Sequence, residues 1–311
     1  MNQQIFLTQI AMALTLLLTC GAPGKMYGQQ SVQYSQYMFN GLVINPAYAG
    51  AEGPLSLTFI QRSQWAGVEG APSTETLSAH SLFKEKKMGL GLSIVNDRIG
   101  VHKNLNALAH YAYHVRIDHD TYLSMGIQAG VQNRRSDYLS VIGDLNNDPH
   151  LQNPLISHTS FDLGAGAYFR TKNFHVGVSV SEIIPQQLHV NDSLAIEIGN
   201  ETYFLFSKYR LSISEVIDLE PSTLMKYLPG LPVSFDINVN VVFHEAITTG
   251  ISYRKGESVD FLLKAQITPQ LQFGYSYDHP INEITRISNG SHEMMVGYIF
   301  SFVRSRINSP R

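Results

Sequence analysis

Between Ala107 and Arg134 the sequence alternates so strictly that few architectures can hold it. Ala107, Ala109, Tyr111, Tyr113, Val115 and Ile117 take every second place in a first arm, with Leu108, His110, Ala112, His114 and Arg116 between them. A second arm sets Leu123, Met125, Ile127, Ala129 and Val131 against Tyr122, Ser124, Gly126, Gln128, Gly130 and Gln132. A period of two belongs to a strand. The link Asp118-His119-Asp120 is short enough to force antiparallel neighbours. Each arm runs for roughly ten residues, against about five or six in an ordinary strand, and that length crosses a bilayer at a tilt. The apolar face then meets lipid, and the face with Arg116, Gln128, Gln132 and Arg134 meets a wet or packed interior.

The same pattern recurs along the chain. It predicts strands at 54–65, 73–83, 87–96, 104–117, 121–133, 160–170, 173–184, 201–212, 220–227, 232–243, 246–254, 258–267, 269–277 and 292–302, which is 14. The fold class is therefore all-β, a transmembrane antiparallel β-barrel, because hydrocarbon offers no partner to an open sheet edge. Connection lengths agree with alternating sides. Short periplasmic turns are expected at Lys84–Lys86, Asp118–Asp120, Thr171–Lys172, His244–Glu245 and around Pro269, and outer loops at Ala66–Pro72, Asp97–Lys103, Arg134–Thr159, Pro185–Asn200 and His279–Ser291. Only the link between strands eight and nine, in the poorly alternating 205–227, is longer than a periplasmic turn. This parity puts both termini in the periplasm. Inward Asp162, Asp236, Asp260, Lys264, Arg116 and Arg170 are expected to pair across the lumen or meet water. The soluble rival, a secreted sandwich or propeller, predicts shorter strands and charged outward faces.

Composition fits a barrel: 15% of residues are charged, beside 24 Gly, 16 Tyr and 15 Phe, where soluble domains carry about a quarter charged residues. A net charge of -3 without a basic stripe argues against nucleic acid. Ile5–Leu18 is an apolar run too short to span and placed as a secretory h-region. The expected organisation is a signal peptide at 1–28, an N-terminal periplasmic or plug segment at 29–53 with a short helix near Tyr34–Phe39, a barrel at 54–303 and a basic tail at 304–311. Cleavage after Gly28 and lipidation of Cys20, the only cysteine, are alternatives. Without Cys20 the mature chain has no disulfide.

No residue set announces chemistry, and no catalytic, cofactor or metal residues are assigned. His110 and His114 have zincin spacing, but on a strand they stand about 13 Å apart at roughly 3.3 Å per residue. Asp144, Asn146 and Asp148 open like a calcium loop, yet Pro149 replaces the Gly and Leu155 the Glu. Two stretches are too specialised for a bare wall. Asn45, Pro46 and Tyr48, within Asn45–Gly50, suit a rigid irregular segment pressed closely against a surface. Arg62, Gln64, Trp65, Gly67, Gly70 and Pro72 form the other, where the sole Trp is either an interface girdle residue or part of a folded loop that caps the mouth or receives a partner.

These stretches, with Gly89-Leu90-Gly91, Asn96–Gly100, Gly274–Asp278 and the closing His292-Glu293, resemble the PorP/SprF family across nearly the whole mature chain. The resemblance implies a non-enzymatic outer-membrane barrel of the Bacteroidetes type IX secretion system. Implied partners are components of that system and a secreted surface protein with a C-terminal sorting domain, such as a gliding adhesin. The residues leave two other readings open, an outer-membrane channel or small-molecule transporter and a surface hydrolase.

Overall fold

In the computed structural model the described residues are 32–83, 87–138, 155–184, 186–191, 194–198 and 201–300. The expected signal peptide with Cys20, the Lys84–Lys86 turn, the Asp144–Asp148 loop and the tail 304–311 lie outside them.

Fourteen strands make one closed antiparallel wall. They are β1 (Leu55–Ser63), β2 (Ser73–Phe83), β3 (Met88–Ile99), β4 (His102–Asp118), β5 (Thr121–Asp137), β6 (Leu155–Arg170), β7 (Phe174–Ser181), β8 (Thr202–Tyr209, resuming at Leu211–Ser212), β9 (Ile217–Tyr227), β10 (Ser234–Phe243), β11 (Ile247–Arg254), β12 (Ser258–Gln266), β13 (Leu271–Pro280) and β14 (Ser291–Phe300). Each pairs with its sequence neighbours, and β1 pairs with β14 from Leu55↔Phe300 to Ser63↔His292, which closes the ring. A separate two-stranded hairpin, Gln186–Asn191 with Leu194–Ile198, lies between β7 and β8 in sequence.

The alternation sorts side chains as expected. Leu92, Ile127, Phe161 and Ile251 point outward and are 64%, 59%, 71% and 55% exposed, while Ser78, His110, Gln128 and Asn238 point inward and are buried. Exposed apolar residues recur on β1 to β14. So continuous an apolar belt exceeds the few hundred Å² that a soluble monomer tolerates, and lipid covers it.

Two departures from the sequence expectation have physical causes. The predicted outer loop 97–103 is a tight turn at Gly100-Val101, because β3 and β4 continue in register to Ile99↔His102. Polar Asn96, Asp97, Arg98 and Asn104 hide this extension from an alternation search, since a ladder beyond the hydrocarbon needs no apolar face. Likewise β5 and β6 reach Asp137 and Leu155, so the loop after Arg134 is shorter than predicted. The link between β8 and β9 is a four-residue turn at 213–216, with Ile213 N–H and Ser214 N–H both bonded to Ile217 C=O. Pro221 obscured it: Pro has no N–H to give a ladder, and the β8–β9 ladder breaks between Lys208↔Ser222 and Leu211↔Leu219. Every described link at one end is then short, including His244-Glu245 with φ of +50° and +54°; the other end carries the long 64–72 and 281–290 together with the tight turns at Gly100-Val101 and 255–257.

The lumen plug as candidate functional site

Residues 32–53 run through the lumen from the long-loop end to the short-turn end. The helix near Tyr34–Phe39 is a single 3-10 turn, Tyr37–Phe39, and not an α-helix. Three 3-10 turns, Tyr37–Phe39, Gly41–Val43 and Pro46–Tyr48, fill the pore instead. A straight helix would present one face only, whereas a chain surrounded by wall must find partners on all sides.

At the long-loop end Gln33 Nε2 donates to Glu257 Oε2 at 2.7 Å, and Gln64 Nε2 reaches Gln33 Oε1 at 3.4 Å. One turn deeper lies a belt of buried charge to which six consecutive strands each give one residue: Asp236 (β10), Arg254 (β11), Asp260 (β12), Asp278 (β13), Glu293 (β14) and Arg62 (β1). Arg62 and Glu293 are Cα partners directly across the closing seam, and Asp260 stands opposite Asp278. Like charges so placed repel, and the two guanidinium groups answer this. Arg62 bonds Asp278 at 2.7 Å and Glu293 at 3.2 Å; Arg254 meets Asp236 at 3.2 Å, Asp260 at 3.6 Å and Asp278 at 3.9 Å.

Four carboxylates still outnumber two guanidinium groups, and the plug supplies the missing donors. Ser35 N–H and Gln36 N–H donate to the two oxygens of Glu293 at 2.8 and 2.9 Å, Ser35 Oγ–H donates to Asp278 at 2.7 Å, and Arg62 in turn donates to Ser35 Oγ at 2.8 Å. Arg254 donates to Tyr34 C=O at 3.3 Å. Buried charges are tolerable only when paired and hydrogen-bonded, so belt and plug complete each other.

Further down, Asn40 donates to Ser78 Oγ at 2.9 Å. Asn45 caps the last 3-10 turn by accepting from Ala47 N–H at 2.9 Å, and its amide donates to Ala167 C=O and Val178 C=O at 3.0 and 3.2 Å. The wall opposite is cut away: a Cβ on Gly126 would overlap Ala47 backbone, and one on Gly89 would overlap Ala49 C=O. Tyr48 packs edge-on against His80 and Tyr168 with centroids 5.7 and 5.4 Å apart. His114 bonds Ala49 C=O at 2.9 Å, Gly50 N–H donates to His80 at 3.2 Å, and Arg170 donates to Ala51 C=O.

The residues singled out from sequence therefore fall in two places. Asn45, Pro46 and Tyr48 belong to the half of the plug nearer the short turns, against the wall of β5 and β6. Gln64, Trp65, Gly67, Gly70 and Pro72 belong to the loop 64–72 at the long-loop end. Arg62 faces the lumen and binds the plug. This loop is folded: Gln64 N–H bonds Pro72 C=O at 2.9 Å, Ala66 N–H bonds Gly290 C=O at 2.7 Å and Asn289 N–H returns to Ala66 C=O at 2.9 Å. Trp65, half-buried with φ +52°, donates its backbone N–H to Ser291 Oγ at 3.1 Å, and Gly67 and Gly70 turn the chain with φ of +92° and +72°. Loops 64–72 and 281–290 thus form one stitched rim.

Of the inward charges expected to cross the lumen, Asp236 and Asp260 pair in the belt and Asp162 accepts from Glu182 N–H at 3.1 Å. Lys264 lies 4.7 Å over the Phe39 ring. Arg116 does not cross; it is exposed and donates to Asp118 C=O and His119 C=O in its own turn. Ser35, Gln36, Arg254, Asp278 and Glu293 were not picked from sequence as site residues, although charged residues at inward positions near one end of adjacent strands were the available signal.

No curated protein matches the chain. Among solved structures it is similar to the CymD monoaromatic hydrocarbon channel, with 11% identity over 84% of this chain and 92% of that one and a TM-score of 0.50. It is also similar to the Acinetobacter baumannii outer membrane protein Omp33, with 9% identity over 80% and 98% and a TM-score of 0.48. At such identities the likeness concerns the fold. The profile of the type IX secretion system membrane protein PorP/SprF matches residues 26–298. The chain is an integral outer-membrane β-barrel and belongs to the PorP/SprF family of type IX secretion.

Proposed function

We propose that this barrel is a non-enzymatic holder that supports type IX secretion and retains a secreted surface protein, such as a gliding adhesin with a C-terminal sorting domain, through its outer loops. The observation that carries this is the plug: the chain's own segment, bonded to the wall at every level from Gln33 to Ala51, fills the path a solute would take. A wall that invests its inward side chains in holding its own chain leaves the rim as the face for a partner, and the stitched loops 64–72 and 281–290 give that rim a fixed shape. The long-loop end faces outward in this reading. Residues Leu55 and Phe300 then stand at the periplasmic side, while Val32 stands at the outer side, so that of the two expectations for residues 29–53, periplasmic segment or plug, this reading takes the plug.

Deleting the gene tests the function. One or a few large surface proteins should be unexported or shed, and normal display of all of them would refute it. The rival channel reading requires clear single-channel conductance of the intact chain in a planar bilayer.

A further inference from the structure

The wall is uneven in height. β4 and β5 have 17 residues and β6 has 16, whereas β7 and β8 have eight each. The β6–β7 ladder spans only Ala165–Arg170, extended by Ile183 N–H to Leu163 C=O. From Leu155 to Asp162, β6 is paired with β5 on one side, and among the described residues no strand pairs with its other side. Backbone groups of alternate residues face opposite neighbours in an antiparallel sheet. Leu163 C=O faces β7, so the N–H and C=O groups of Ser157, Thr159 and Phe161 face the open edge. An exposed edge of this kind is a template for another strand, and proteins normally blunt it with Lys, Pro or a bulge; residues 155–162 contain no Lys and no Pro.

The inner face of the same tall blade carries a second sign of a missing partner. Asn106, Gln132 and Ser160 stand side by side across β4, β5 and β6. Asn106 Oδ1, His110 Nδ1, Arg134 Nη1 and Ser160 Oγ are buried without a hydrogen-bond partner, which is rare in a finished structure. A cavity of about 100 Å³ lies between the plug and this wall, lined by Asn106, His110, Gln128, Asp162, Ser179 and Glu182.

We propose that the open edge of β6 at Ser157–Phe161 receives an extended strand of a partner polypeptide, polar residues turned inward beside Ser160 and apolar ones outward beside Phe161. This rests on the partner-retention reading above and names how the partner docks. Main-chain bonds to the edge give affinity, and the polar row gives register, as in other strand-addition sites. A hydroxyl or amide side chain suits this place, since the Ser160 hydroxyl can donate as well as accept and has no partner among the described residues.

The test places a benzophenone-bearing residue at Ser157 or Phe161 of the full chain in living cells and maps the photoadducts by peptide mass spectrometry. Both probes should attach to one segment of another polypeptide, and moving the probe from 157 to 161 should move the attachment by about four residues, as one-to-one strand pairing requires. Thr159→Pro deletes an edge N–H and spares the β5 ladder, so it should cut adduct yield at least tenfold; Thr159→Ala, which keeps the N–H, should not. Heat-modifiable gel mobility reports that each barrel is folded. Adducts only with residues 186–198 of the same chain, attachment without register, or full yield in Thr159→Pro would overturn the docking mode. If gene deletion still strips a surface protein while these adducts fail, only the strand-addition proposal falls; if deletion has no effect, the retention reading falls with it.

Discussion

Replacing Arg62 by Ala should loosen the plug and leave the barrel standing. In the plugged state Arg62 is buried and bonds Asp278, Glu293 and Ser35 Oγ at 2.7, 3.2 and 2.8 Å. Its removal leaves Glu293 with two plug N–H donors and Asp278 with Ser35 and a distant Arg254. Stripping one partner from a buried pair costs about 3–5 kcal/mol, because the other charge remains buried. With the plug withdrawn water reaches both carboxylates and that penalty largely disappears, so most of it appears in the opening equilibrium. At 1.4 kcal/mol per factor of ten, about 3 kcal/mol raises the open population roughly a hundredfold. Ser78, 1% exposed beneath Asn40, is the place to read it. With Ser78→Cys as reporter, and Cys20 the one natural cysteine, maleimide labelling of the folded protein should run about a hundredfold faster in Arg62→Ala. Labelling within threefold of the parent, with equal labelling after denaturation, would refute the belt as the plug's anchor.

Further outcomes follow from the same contacts. Gly126→Leu should push Ala47 off the wall at an overpacking cost of about 1–3 kcal/mol, raising the Ser78→Cys labelling rate about tenfold or more, while the outward Ile127→Leu leaves it unchanged. Excision of residues 35–48 from the full chain should convert a silent barrel into a conducting one in a planar bilayer; a silent excised barrel would mean that something else closes the lumen. In intact cells a membrane-impermeant maleimide should label Gln33→Cys and spare Glu245→Cys, and the reverse result would invert the orientation proposed here.

Much of the wall was legible because each outward position repeats the same physical demand. Tyr111, Tyr113 and Val115 face lipid one after another, so the pattern survives a single exception. The ends of β3 to β6 were not legible, since beyond the hydrocarbon nothing imposes alternation on Asp97 or Asn104. The plug was half legible. Asn45, Pro46 and Tyr48 announce a tight irregular segment through composition, but where it lies depends on contacts more than 100 residues away, such as Asn45 with Ala167. The sequence groups Arg62 with Trp65 as one specialised stretch at the end of the predicted strand 54–65, as if neighbours in sequence were neighbours in space. On a strand they need not be: Arg62 lies on β1 and faces inward, and Trp65 lies past its end.

The belt sits where the barrel closes, and this couples plug and wall. β1 and β14 are the first and last strands of the ring, so their pairing carries the longest loop-closure entropy of any ladder in the molecule. Arg62 and Glu293 face each other across that ladder, and Glu293 also holds the backbone of Ser35 and Gln36. An open sheet would leave Glu293 and Arg62 on opposite edges, each hydrated, and would leave the plug's N–H groups nothing to bind. A closed but empty ring would bring four carboxylates, Asp236, Asp260, Asp278 and Glu293, together with two guanidinium groups to share. Neither half-finished state satisfies its charges, whereas closure around the segment satisfies most of them at once. The segment that fills the lumen therefore also steadies the seam where the last strand meets the first, because Glu293 bonds Arg62 across that ladder and the plug backbone at once.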